Sequence, residues 1–359
     1  MTAEQDTEVA DATRPAGVGA GTRRSREAAP LLVEITRRDV RTGRQHLESA
    51  HAAHLVVGGP EGEVVASCGD PEHPTFVRST AKPFQATACL EILEEAGDPS
   101  HLPGDDELAV AWASHRGEPG HLDAVNRLLQ RSGTPPDALT CPPAAPEAAP
   151  GAPPSRLQHN CSGKHALFAL AGRGLGVAGP ALLDPEARLQ RRVLAVLERE
   201  LGPPVAIGVD GCGAPAVAVP LRRLATGFAG LAAAGRFRRV RRSGVVHPGL
   251  VGGVGRLETA LLGVGVVAKV GAEGVYGVGW VAADGRPWGL AIKAVDGAAR
   301  GVAAVTAEVL TATGVVPSGT WTPPPPLGGG LSAGQVRVTD EVAGVAATLA
   351  GMRVGRESR

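Results

Sequence analysis

The sequence carries no net charge: 36 lysines and arginines balance 36 aspartates and glutamates. Without a basic excess, nothing in the overall charge favours nucleic acid or an anionic membrane surface as a partner. It also has no run of about 20 apolar residues, the length needed to cross a bilayer. Residues 261–283 come closest, and Lys269 and Glu273 interrupt them. The first thirty residues offer no apolar core for a signal peptide, so a cytoplasmic protein is expected. Cysteine is sparse as well. Cys68, Cys89, Cys141, Cys161 and Cys212 are odd in number and form no paired framework, which argues against a disulfide-stapled secreted domain.

What is present is an ordinary globular balance, 43% hydrophobic and 20% charged over 359 residues, enough to bury a sizeable core. Residues 1–29 are polar, small and aperiodic and are expected to form a disordered tail. Strands are expected at residues 30–36, 53–57 and 63–66, with glycine-rich turns between them. From Ser79 the period becomes helical, with Phe84, Ala88, Leu90, Leu93 and Ala96 recurring at helical spacing and Gly97 as the stop. Further helices are expected at 106–114, 122–132, 163–170, 185–201 and 301–313, and strands at 205–209, 264–270 and 274–281. Residues 141–156 are too proline-rich for a regular element and read as a long surface loop rather than a linker. The four prolines at 323–326 read as the end of the compact unit, giving a catalytic domain over 30–330 and a poorly defined tail over 331–359. Mixed helices and strands predict an α+β or α/β fold.

Ser79-Thr-Ala-Lys82 stands at the expected helix start. Residues three apart share a helix face, so the lysine amine can reach the serine hydroxyl, which is a poor nucleophile until a base takes its proton. On its own this match is weak, and a capping serine with a solvated lysine is the commoner reading. Ser114-His-Arg116 and Lys269-Val-Gly271 extend it. A helical S-x-x-K, a later loop serine and a late K-x-G strand are the chain-order signature of serine β-lactamases and penicillin-binding proteins. Lys269 also suits an ordinary edge-strand lysine.

His159-Asn-Cys-Ser-Gly-Lys-His165 and Asp210-Gly-Cys-Gly-Ala-Pro215 add a different chemistry. Cys161 and Cys212 with one nitrogen donor would leave an open tetrahedral position on zinc. By ligand chemistry the nitrogen is a histidine, His165 or His159, while two inert buried cysteines remain the plainer alternative. Ser162-Gly-Lys164 lacks the glycine spacing of a phosphate loop. The basic run Arg236-Phe-Arg-Arg-Val-Arg-Arg242 reads as a solvated face rather than a nucleic-acid site.

Together these segments resemble the L-asparaginase II family of serine–lysine amidohydrolases. The resemblance rests on Arg78-Ser-Thr-Ala-Lys-Pro-Phe-Gln-Ala86, Ala113-Ser-His-Arg-Gly-Glu118, HNCSGKH, DGCGAP and Lys269-Val-Gly-Ala-Glu-Gly-Val275. It runs from about Pro30 to about Gly330. It implies a mixed sheet with packed helices like that of serine β-lactamases and glutaminases, and hydrolysis of L-asparagine to L-aspartate and ammonia. It implies two serine–lysine pairs, Ser79 with Lys82 and Ser114 with Lys269, with neutral Lys82 as the base. It implies Arg78 and Asp210 as substrate-binding residues, a substrate-positioning zinc on Cys161, Lys164 and Cys212, and a homodimer. Lys164 thereby replaces the histidine, with His165 as the fallback. A penicillin-binding-type hydrolase and an inactive amino-acid binding protein are the competing expectations.

Overall fold

The computed structural model describes residues 29–357, and the side chains through residue 350. The call of a disordered tail over residues 1–29 falls, but for residue 29, outside the described residues. Strand β1 (Leu31–Arg38) pairs antiparallel with the first half of a long β2 (Gln45–Gly58). The second half of β2 pairs with β3 (Val64–Cys68) and leaves β1 behind. A short β4 (Pro74–Phe76) and a 3-10 turn (Arg78–Ala81) lead into α1 (Lys82–Glu95). Two helices follow, α2 (Asp105–Trp112) and α3 (Pro119–Ser132). Beyond the proline-rich loop come α4 (Ser162–Leu175) and the strongly amphipathic α5 (Arg188–Leu201). Strands β5 (Ala206–Val209) and β6 (Pro215–Pro220) make a small sheet with β4, in the order β4-β6-β5.

Helices α6 (Leu221–Ala232), α7 (Arg238–Val246), α8 (Pro248–Gly252) and α9 (Leu257–Gly263) precede a meander of β7 (Val267–Gly271), β8 (Val275–Val281) and β9 (Pro287–Ala294). The chain ends with α10 (Val302–Ala312), a small β10–β11 ribbon (Leu327–Gly328, Leu331–Ser332), β12 (Gly334–Val338) and α11 (Asp340–Glu357). The main sheet runs β12-β1-β2-β9-β8-β7, with β3 also on β2, and every pairing is antiparallel. The α+β expectation is met.

The sheet separates two cores. One face meets the helical lobe through residues such as Val275, Ala291, Phe84 and Phe228. The other buries Tyr276, Val278 and Ile292 against α10 and α11. Helix α6 lies almost on the strand backbones, because β8 and β9 present Gly277, Gly279 and Gly289 beneath it. A Cβ at Gly289 would stand 1.9 Å from the Ala225 carbonyl oxygen.

The C-terminal segment corrects the expectation of a tail. β12 pairs with β1, Ile35 opposite Val336, and Val342, Val345 and Leu349 of α11 are buried in the second core. The prolines at 323–326 carry an extended connection back to the sheet edge instead of closing the unit. Proline interrupts a helix or a central strand but not an extended crossing.

Candidate active site

Arg78, immediately after β4, adopts φ +49°, a conformation rare outside glycine and costly enough to mark a constrained functional position. It delivers Ser79 to the turn before α1, whose Thr80 N–H donates to the Val77 carbonyl at 3.1 Å. Ser79 is only partly buried, and its hydroxyl makes no side-chain hydrogen bond among the described residues. The expected Ser79–Lys82 contact is therefore not formed. Lys82 turns inward instead, donating to the Ala113 carbonyl at 2.6 Å, Ser114 Oγ at 3.2 Å and the Asn160 carbonyl at 3.4 Å. Three acceptors inside the core outcompete one hydroxyl at its rim.

Ser114 begins the loop after α2 and meets both lysines. Lys269 Nζ, from β7, lies 2.8 Å from Ser114 Oγ and also donates to the Val270 carbonyl at 2.9 Å. Lys82 and Lys269 are each 1% exposed. Burial and the neighbouring Lys82 charge pull the Lys269 pKa down to about 7, with the Glu258 carboxylate opposing them. Burial thus disfavours the charged form of Lys269, and near neutral pH its amine is partly deprotonated. Lys269 is no edge-strand guard either, since its side chain is enclosed in the core.

His115 holds this loop in place. Its Nδ1 accepts from the Gly117 N–H at 3.2 Å, which leaves Nε2–H to donate to Ser162 Oγ at 2.9 Å. Burial, reinforced by the stacked His121, brings the His115 pKa down to about 3, so the ring stays neutral. The His115 N–H donates to the same Asn160 carbonyl that receives Lys82. Asn160 and His115 both lie within the quoted motifs, yet neither has a role that spacing could reveal.

At the rim, Arg78 Nε donates to Asp210 Oδ1 at 2.8 Å, placing a cation and a carboxylate side by side. Both charges are partly exposed, which suits the two ends of an amino acid.

The residues 159–165 and 210–215 converge as well. Lys164 Nζ lies 3.0 Å from Cys212 Sγ, and Cys212 is hydrogen-bonded to Cys161. That bond is the main reason the Cys161 thiol is held well below its usual range, against the opposing effect of burial. Cys212, on the donating side, is pushed up by the same bond and by burial. Burial opposes the Lys164 ammonium, but the charges of Cys212 and Cys161 outweigh it and raise its pKa. Of the two histidines, His159 Nδ1 accepts the Cys161 N–H at 3.0 Å, and His165 Nδ1 meets Thr140 Oγ1 at 2.7 Å while its Nε2 is buried without a partner among the described residues. No group of three histidine, cysteine or carboxylate side chains suited to a metal occurs among the described residues. A metal here would need Lys164 as its third donor, and two sulfurs with one amine fit zinc.

Two further segments frame the site. The loop 141–156 folds back through an Ala144–Ser155 bridge, and its Glu147 forms ion pairs with Arg116 and Arg256. Within the basic run 236–242, Arg236 pairs with Glu200, Arg239 with Glu94 and Arg242 with Asp105.

A family profile described as L-asparaginase II matches residues 36–337. The chain belongs to the L-asparaginase II family. No curated protein matches it. Membership makes it an asparaginase-like amidohydrolase acting on a small molecule. No helix among the described residues is long and apolar enough to cross a membrane.

Proposed function

We propose that the protein hydrolyses the side-chain amide of L-asparagine to L-aspartate and ammonia through a serine ester. The observation that carries this reading is the Ser114 hydroxyl, held between two buried lysine amines at 3.2 and 2.8 Å. Such a chain moves a proton between its ends without water. Neutral Lys269 takes the Ser114 proton while Ser114 takes one from the Lys82 ammonium, leaving Lys82 neutral. Lys82 then accepts the Ser79 proton as Ser79 Oγ attacks the amide carbon. The backbone N–H of Ser79 itself would be the nearest main-chain donor for the developing oxyanion. As the C–N bond breaks, the lysine chain returns a proton to the departing ammonia. Water attacks the resulting ester with the same groups working in reverse, releasing aspartate and restoring Ser79.

Arg78 and Asp210 would hold the α-carboxylate and α-ammonium of the substrate. A zinc ion on Cys161, Lys164 and Cys212 would supply a fixed positive charge that orients the substrate. The protein is expected to act as a homodimer in the cytoplasm.

The direct test is ammonia release from asparagine and from glutamine, beside the Ser79→Ala variant. Turnover of asparagine that Ser79→Ala reduces by at least about a thousandfold, with an unchanged melting temperature, supports the assignment. No ammonia from either amide between neutral and alkaline pH would remove it. A second reading makes Ser114 the nucleophile, favoured by its contact with Lys269. Denaturing the enzyme during turnover and locating the trapped β-aspartyl ester by mass spectrometry separates the two serines.

A further inference from the structure

A cavity of about 700 Å³ lies on the opposite face of the main sheet from the Lys269 amine. Nothing in the reaction above uses it. Its back wall is the cross-strand pair Trp280 and Trp288, directly opposite one another on β8 and β9. Val266, just before β7, Val315, beyond α10, and Leu349 of α11 close its sides. Two of the chain's four tryptophans therefore face one hollow, although aromatic residues make up only 3% of the sequence. The volume lies within the range of small-molecule sites, and the lining has their composition, mostly apolar with few polar groups.

The polar groups include the Asp284 carboxylate, whose Oδ1 accepts the Arg286 backbone N–H at 3.0 Å, and two arginines that are not equivalent. Arg286 stacks on Trp288, 4.6 Å from the ring centroid, and is neutralised by Glu63 at 2.6 Å. Arg241 has no such partner. Its Nε–H is buried without an acceptor among the described residues, and a single Nη2 contact reaches the Gly265 carbonyl at 3.5 Å. On the same helix Arg239 pairs with Glu94 and Arg242 with Asp105. A buried Nε–H without an acceptor costs free energy that an incoming anion would recover. At the mouth, Val264 and Val281 expose 47% and 40% of their surface, an apolar rim that a purely polar ligand would not match.

We propose that this cavity is a second binding site, for an amphipathic organic monoanion. The ligand would be a single carboxylate set against Arg241, on an apolar chain or ring lying along Trp280 and Trp288. The site is independent of the amide chemistry, because none of its residues belongs to the serine–lysine chain. Val266 stands three residues before Lys269, so an occupant would bear on the strand that carries the catalytic amine.

The test uses the full chain, with anilinonaphthalene sulfonate as a fluorescent probe and decanoate, indolepropionate and decanol as competitors. The expected result is saturable binding of one probe per chain, with quenching of tryptophan emission. Decanoate or indolepropionate should displace it and decanol should not, and the stronger competitor tells chain from ring. Arg241→Met should weaken binding at least about tenfold while asparagine turnover and melting temperature stay unchanged. Val315→Trp, which fills the hollow, should abolish it and guards against misfolding of the first variant. Non-saturable binding, equal displacement by decanol, or affinity unchanged in both variants would each overturn the proposal.

Discussion

Near neutral pH the Lys269 amine is about half protonated, because burial and Lys82 bring its pKa from the ordinary 10.5 to about 7. The rate of amide hydrolysis should therefore climb with pH through about 7 and level off above it. Lys269→Met removes the only amine that can relieve Lys82 of its proton. The limb near pH 7 should vanish, the residual activity should rise only at more alkaline pH, and the plateau should fall at least about a hundredfold. The linkage has a definite sign. Between about 7 and 10.5 the unfolded chain holds a proton that folded Lys269 lacks, so the lysine contributes stability that increases with pH across that window. Below it the full burial cost remains. The methionine variant should accordingly melt at a higher temperature than the parent at neutral pH, with the gap closing as pH approaches 10. An unmoved pH profile at full activity would return Lys269 to a structural role. The sequence made Ser79, Lys82, Ser114 and Lys269 visible, because each sits in a short motif of chemically apt residues. Which amine is neutral was not visible, since burial and the carbonyls of Ala113 and Asn160 come from elements far apart in the chain. His115 was hidden for the same reason: its partner Ser162 is supplied by α4. Replacing His115 by alanine should lower kcat by about ten- to a hundredfold with KM little changed, and His115→Gln, which can restore a donor to Ser162, should recover part of it. Equal losses in both variants, tracking lost stability, would mean that His115 serves packing alone.

At the scale of elements, periodicity located α1 to α5, α10 and the β7–β8 pair within a few residues, and missed α6 to α9 and α11. It failed where pairing rather than pattern makes the strand. β9 is central, between β2 and β8, yet its PWGLAIKA segment (residues 287–294) is glycine-interrupted and opens with proline. The glycine is there because α6 comes down on it. A side chain at Gly289 would collide with the backbone of Ala225 and Ala229, and backbone cannot move aside as a flexible side chain can. Gly289→Val should destabilise the fold by roughly 3 kcal/mol or more despite the better strand propensity of valine, as a displaced α6 would open the core around Phe228. Urea unfolding measures this directly, and a valine variant as stable as the parent would show that α6 can lift off the sheet without penalty. β12 escaped notice because its identity depends on β1, some three hundred residues earlier.

Across the molecule, the donor group Cys161, Lys164 and Cys212 joins the start of α4 to the turn between β5 and β6, which also carries Asp210. An ion held there would fasten the helical lobe to the small sheet while fixing the wall of the substrate site. Bound only by the folded chain, zinc should add stability by mass action, about 2.7 kcal/mol at a free concentration a hundred times its Kd. The purified protein is expected to contain about one zinc per chain. Chelation should lower the melting temperature and raise KM for asparagine more than it lowers kcat, because orientation of the substrate is lost while the lysine–serine chain is untouched. Cys212→Ala should reproduce both effects and abolish the response to added zinc. Cys68→Ala is the informative control, as that thiol is buried in the second core and should leave zinc content unaltered. Metal analysis, thermal melts and steady-state kinetics on the same preparations decide the matter. A zinc-free protein whose KM and melting temperature ignore added zinc would leave Lys164 and the two cysteines as a hydrogen-bonded cluster of purely structural use.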